Sequence, residues 1–313
     1  KNYLELEHDT LIPLFNRALM AQYPPGSVFK LVQTLTARQE MVIFPNTVFG
    51  CNKSLVNCHD HINPLDLFGA IQNSCNPYFY MVFKRIINQD KFTNRFKDAA
   101  WGLENWRLHI MSFGLGGKLG IDIPDEKPGF IPTGNFYNKI YGTLHWKFET
   151  IYSLGIGQGE ILAVPLQMAN LAAIIANKGY YYTPHLKRHL DESEKHQTTI
   201  DSSYYDLLIN AMEQAVAAGT ATRAKIDSIA VCGKTGTAEN PHGEDHSLFI
   251  AFAPKDKPEI AISVIVENSG FGGTWAAPIA SLMIEKYING FISDPQKEQR
   301  ILQADFIHAV KQK

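Results

Sequence analysis

An α+β fold, with helices gathered around a largely antiparallel sheet, is predicted by three observations on this 313-residue sequence. Helical apolar spacing dominates the first two-thirds, the last third changes to strand-like runs, and no alternation of the βαβ kind is present. With 45% hydrophobic and 19% charged residues, the chain has enough apolar material to bury a large core. Neither an internal repeat nor a low-complexity linker divides it, so residues 1–313 parse as a single domain.

Each element rests on a local signal. Tyr23-Pro24-Pro25-Gly26-Ser27 reads as an extended turn. Val28 to Met41 then lacks Pro and Gly and carries Leu31, Leu35 and Val42, which predicts a helix with Ser27 at its N-terminus. Pro64 to Asn73 and Pro77 through Ile87 read as two more helices, with the Ser74-Cys75-Asn76 triplet at the joint between them. From about Trp101 to Gly159 the pattern is rich in Gly, Pro and aromatics, and loops with short elements are expected there. Helices follow at Pro165 to Asn177, stopped by Gly179, and at Ser203 to Ala218, stopped by Gly219. Ser228 to Thr237, Ser247 to Pro254 and Glu259 to Glu267 are strand-like, and Ala277 to Ile288 closes the domain as an amphipathic helix.

Charge narrows the function classes. A formal net charge of −2 and the lack of any long Lys/Arg run exclude nucleic acid as the expected partner. No apolar stretch approaches the roughly 18 residues of a membrane span. A start at Lys1 instead of Met leaves room for an anchor or targeting segment ahead of it.

Three short patterns carry the chemistry: Ser27-Val28-Phe29-Lys30, Ser74-Cys75-Asn76 and Lys234-Thr235-Gly236-Thr237. Each is weak alone, and a lone Ser-x-x-Lys usually marks a capped, solvated helix start. Their ordered occurrence, each in the local structure its chemistry needs, is the signal. On one helical face Lys30 can reach Ser27 Oγ and take its proton, provided burial and a nearby positive charge keep Lys30 neutral. Lys234 is the natural source of that charge. Ser74 can relay a proton between Lys30 and a leaving amine, and Asn76 offers an amide to a substrate backbone. Thr235 and Gly236 are small enough to leave a strand edge open for an extended peptide. The backbone N–H groups of Thr237 and Ser27 are the expected oxyanion donors.

On these residues the chain resembles the penicillin-binding transpeptidases and serine β-lactamases, and in detail the penicillin-binding protein 2 group of class B transpeptidases. Supporting matches are Asn16-Arg17-Ala18, Tyr23-Pro24-Pro25-Gly26, Gly155-Ile156-Gly157-Gln158-Gly159, Lys234 through Ala238 and Asp245-His246-Ser247. The resemblance implies an antiparallel sheet flanked by helices with an all-helical subdomain. It implies a D,D-transpeptidase that cross-links peptidoglycan stem peptides through a Ser27 acyl-enzyme, is inhibited by β-lactam antibiotics, and serves cell elongation and shape. It further implies a membrane glycosyltransferase partner from the elongation machinery and a place on the periplasmic side of the bacterial inner membrane. The family carries two further strands, an anchor and a pedestal domain ahead of the stretch matched here, so residues 1–313 are expected to be the transpeptidase domain without them.

Rivals use the same motifs. A class A β-lactamase adds a Glu-x-x-Leu-Asn base, which this sequence lacks, since Glu160 is followed by Ile-Leu-Ala-Val. A β-lactam sensor has shorter motif spacing than the 160 residues between Ser74 and Lys234. A D,D-carboxypeptidase stays open, because water can resolve the same ester. Gly155 to Gly159 is read as a cleft-lining loop, with no Lys-Ser/Thr to make it a phosphate loop. His246 is read as a structural hydrogen-bonding residue.

Cys51, Cys58, His59 and Cys75 form the ligand set of a closed structural zinc (Zn2+) site, outside the chemistry itself. Some members of the resembled group look similar in holding a metal with ligands from this stretch and from the middle of the Ser-x-Asn motif; Cys51, His59 and Cys75 fall at matching places. Two alternatives remain at the level of sequence: a Cys51–Cys58 disulfide with Cys75 a buried thiol, and His61 in place of His59.

Overall fold

The computed structural model describes residues 2–188 and 193–305. At its centre three antiparallel strands run in the order β3-β4-β5, with β3 at Cys232–Ala238, β4 at His246–Ala253 and β5 at Ile260–Val266. A separate hairpin pairs β1 (Tyr180–Tyr182) with β2 (Lys195–Gln197). Register places Lys234 opposite Ile250 and Thr237 opposite Ser247. The buried strand β4 shows how the layers form. Leu248, Ile250 and Phe252 face a large core under the helices, while Phe249, Ala251 and Ala253 face a smaller core under the helix Ala276–Asn289. Period-two alternation thus buries both faces, which gives helix, sheet and helix layers.

The helices of the large core carry the site residues. A 3₁₀ turn, Gly26–Phe29, leads into the helix Lys30–Gln39, and Leu67–Gln72 is capped by Asp66 Oδ1 accepting from Gly69 N at 2.8 Å. The helix Asn76–Ile87 buries Tyr78, Phe79, Val82, Phe83, Ile86 and Ile87. At about 2 kcal/mol for each such side chain, this face fixes the position of Asn76 at the helix start.

The expected helices and strands form within a few residues of their sequence bounds, with one correction. Where loops were expected from Trp101 onward, an 18-residue helix spans Arg95–Ser112. Asn94 starts it, its Oδ1 accepting from Phe96 N and Lys97 N at 3.0 and 3.2 Å. Ala99, Leu103, Trp106 and Ile110 turn inward as one stripe. Gly102 is required there by packing, because a Cβ on it would lie 2.1 Å from Ile87 O. A shorter helix, Gly134–Tyr141, follows within the same stretch. Among the described residues, no helix is long and apolar enough to cross a membrane.

Candidate active site

All three motifs converge on one cleft of about 640 Å³ whose lining includes Ser27, Ser74, Asn76, Thr235, Gly236 and Thr237. Ser27 lies in the 3₁₀ turn and is partly exposed to this cleft, whereas Val28, Phe29 and Lys30 behind it are buried. Backbone contact presses the turn against β3. Gly26 sits at φ +53°, and a Cβ there would lie 2.2 Å from Thr237 O. β3 pairs only with β4 among the described residues, so its other edge opens on the cleft, as Thr235 and Gly236 led us to expect.

Two buried lysines meet at Ser74. Lys30 Nζ donates to Ser74 O at 2.7 Å, to Ser74 Oγ at 3.1 Å and to Asn76 Oδ1 at 2.5 Å. Lys234 Nζ donates to Ser74 Oγ at 2.8 Å and to Thr235 O at 3.0 Å. The Lys30 contacts therefore run to the second motif, and Ser27 Oγ has no hydrogen-bond partner among the described residues. Ser74 takes φ +56°, a left-handed conformation that costs a residue with a Cβ about 1–2 kcal/mol and turns its carbonyl onto Lys30.

Burial brings the Lys30 pKa down to about 7, so near neutrality much of it is an uncharged amine. This corrects the expectation that a charge on Lys234 would lower it: burial is the cause of the fall, and the neighbouring Cys58 and Cys75 act in the opposite direction. Lys234 is also pushed well below the ordinary lysine range, first by burial and then by the charge on Lys30. A neutral Lys30 keeps two hydrogens, enough for Ser74 O and Asn76 Oδ1, and its lone pair is then free to accept a proton.

The loop before the second motif is tied to Asn76. Asn76 N donates to Cys58 Sγ at 3.4 Å, and Asn76 Nδ2 to Asn57 O at 2.7 Å. Here the structure corrects one expected ligand: donor atoms of Cys51, Cys58, His61 and Cys75 lie within 4.8 Å of one another, with His61 in place of His59. His59 instead lines the cleft and stacks edge-on against His61, ring centroids 5.3 Å apart. A hydrogen bond from His61 Nδ1 to Ile62 O at 2.7 Å requires the proton on Nδ1 and turns the Nε2 lone pair toward Cys58 Sγ, 3.5 Å away. All four cysteines are unbridged. Three sulfurs and one imidazole nitrogen suit tetrahedral zinc, whose donors stand about 3.3–3.8 Å apart.

Sequence reasoning passed over Thr220, whose Oγ1 accepts from Thr235 Oγ1 at 3.0 Å at the cleft wall. It also passed over Asn57, which acts through its carbonyl and leaves no side-chain signal. Ile156 and Gln158 line the cleft, as the glycine-rich run suggested. His246 takes the structural place expected of it, its Nδ1 accepting from Asn268 N at 3.1 Å.

Sheet, helices and cleft together define a protein of the β-lactamase/transpeptidase-like fold. Residues 1–285 match the model of the penicillin-binding protein transpeptidase domain, and the chain belongs to that family. It is 31% identical to the peptidoglycan D,D-transpeptidase MrdA of Haemophilus influenzae over 95% of this chain and 49% of that protein. The chain thus spans about half the length of the curated relatives it matches. Among solved structures, Pseudomonas aeruginosa PBP2 in complex with WCK 5153 superposes with a TM-score of 0.76 at 30% identity, covering 91% of this chain and 66% of that one. A structure described as the coordination of polymerization and crosslinking by a peptidoglycan synthase complex superposes with a TM-score of 0.78 at 26% identity, covering 93% and 50%.

Proposed function

We propose that this chain is the catalytic domain of a peptidoglycan D,D-transpeptidase that cross-links stem peptides ending in D-Ala-D-Ala. The observation that carries the reading is Ser74 Oγ held between Lys30 Nζ and Lys234 Nζ, in the cleft that Ser27 lines. Neutral Lys30 takes the proton of Ser27 Oγ, which attacks the carbonyl carbon of the penultimate D-Ala. The oxyanion is met by the N–H groups of Ser27 and Thr237. On collapse the C–N bond breaks, and the departing D-Ala amine takes the proton from Lys30 through Ser74. The side-chain amine of a neighbouring stem then attacks the ester, and its proton returns to Ser27 Oγ through Lys30. Asn76 and the open edge of β3 hold the extended peptide. A β-lactam acylates Ser27 in the same way, but its leaving amine stays tethered and blocks the acceptor.

Incubation with a fluorescent penicillin tests this reading: a label that persists for many minutes is expected. Rapid loss of label would mark a hydrolase, and an unlabelled chain would defeat the assignment.

The Cys51, Cys58, His61 and Cys75 cluster is proposed to hold structural zinc, which would pin the Cys58 loop to Asn76 and take no part in proton transfer. Metal analysis of protein purified without added zinc should find one ion per chain. Stripping it should lower the melting temperature and slow acylation by about 10–100-fold, as loss of supporting contacts does. Zinc-free protein with unchanged melting and acylation would contradict the site. The reading also includes a polymerising glycosyltransferase partner of the elongation machinery, for which similarity to a peptidoglycan synthase complex speaks, and, from the family resemblance alone, a place on the extracytoplasmic face of the inner membrane.

A further inference from the structure

The run Gly155 to Gly159 does more than line the cleft, because it grips both strands of backbone that flank Ser27. Gly157 O accepts from Gly26 N at 2.9 Å, one residue before Ser27. Gln158 Nε2 donates to Thr237 O at 3.0 Å. Between these bonds the three backbones are stacked too closely for side chains. A Cβ on Gly157, at φ +74°, would lie 2.2 Å from Gly26 O, and one on Gly26 would lie 2.2 Å from Thr237 O. The grip is itself anchored. Gln158 N donates to Ser153 O at 3.1 Å, and Leu154 O accepts from the buried Gln33 Nε2 at 3.1 Å, while Gln33 Oε1 accepts from Trp106 Nε1 at 2.9 Å.

Strand geometry gives the Gln158 bond a chemical meaning. In an antiparallel ladder the N–H and C=O of one residue point to the same side, either both to the partner strand or both away. Thr237 O faces Gln158 and not β4, so the Thr237 N–H also points away from β4, toward the cleft. Thr235 O, two residues earlier, likewise turns out to meet Lys234 Nζ. Gln158 therefore holds the Thr237 carbonyl, on the same edge of β3 as the Thr237 N–H in the preceding peptide plane.

We propose that Gln158 is a positioning residue of the acylation step: its bond to Thr237 O, acting with Gly157 O on Gly26 N, sets the spacing and direction of the Thr237 and Ser27 N–H groups. This rests on the transpeptidase reading above. An oxyanion hole works through donors placed for the tetrahedral state, and a misplacement of about 1 Å costs about 100-fold in rate.

Two near-isosteric variants test it. Gln158→Met removes the donor, and Gln158→Glu sets a carboxylate against the Thr237 carbonyl. In both, the limiting rate of Ser27 acylation by a penicillin should fall about 100-fold. Affinity for a boronic acid, which forms a tetrahedral adduct with the serine, should fall in parallel. Precovalent affinity for the penicillin and the melting temperature should stay at wild-type values. Wild-type acylation rates in both variants would overturn the positioning role alone, as would a loss of precovalent affinity equal to the loss of rate. A wild-type chain that takes no label would overturn the transpeptidase reading, and the role of Gln158 with it.

Discussion

Lys30→Met should leave the fold intact and slow acylation of Ser27 by a penicillin by about 10³-fold or more, the scale on which a general base acts. Methionine fills the buried space of the lysine stem but can accept no proton. The wild-type pH profile gives a second signature. With the Lys30 pKa lowered to about 7 by burial, only the neutral form above that pH takes the serine proton. Acylation should therefore rise with pH up to about 7 and level off above it, falling about tenfold per unit on the acid side. In Lys30→Met that inflection disappears. Lys234 loses the like charge that helps lower it, and its pKa moves up. Stopped-flow acylation rates across pH, with melting curves as a folding control, check both points; a variant that retains the inflection would place the base elsewhere.

Ser74 separates chemistry from strain. Its hydroxyl is the only group that both Lys30 and Lys234 touch among the described residues, and its backbone sits at φ +56°. Ser74→Ala and Ser74→Gly should slow acylation to a similar extent, about 100-fold, because both lack the proton-relaying hydroxyl. Their stabilities should differ. Glycine takes the left-handed conformation freely, so Ser74→Gly should be about 1 kcal/mol more stable than Ser74→Ala by denaturant unfolding. Equal stabilities would mean that this conformation stores no strain, and a large difference in rate would mean that the backbone, and not the hydroxyl, carries the effect.

What the sequence made legible follows from the range of the forces involved. Strands β3 and β4 were readable because both faces are buried, and β5 as a run of apolar and small residues, Ile260 to Val266, after a tight turn. Ser27, Ser74 and Lys234 were readable because each stands at a local signal of turn, helix joint or strand. The helix Arg95–Ser112 was hidden by Gly102, which is there for a contact with Ile87 O that no local pattern announces. His59 and His61 both follow closely on Cys58 in the sequence, and the choice falls to the His61 Nδ1 bond with Ile62 O, which turns Nε2 toward Cys58 Sγ. The i, i+3 spacing suggested that Lys30 reaches Ser27, yet the left-handed Ser74 turns its carbonyl and hydroxyl onto the amine instead. That contact joins residues 44 positions apart and depends on tertiary packing.

Peptide mapping of the acyl-enzyme tests the central claim most directly. After brief incubation with a penicillin and digestion, the adduct mass should lie on the peptide that contains Ser27, and Ser27→Ala should take up none. An adduct on any other residue, or full labelling of Ser27→Ala, would contradict the account.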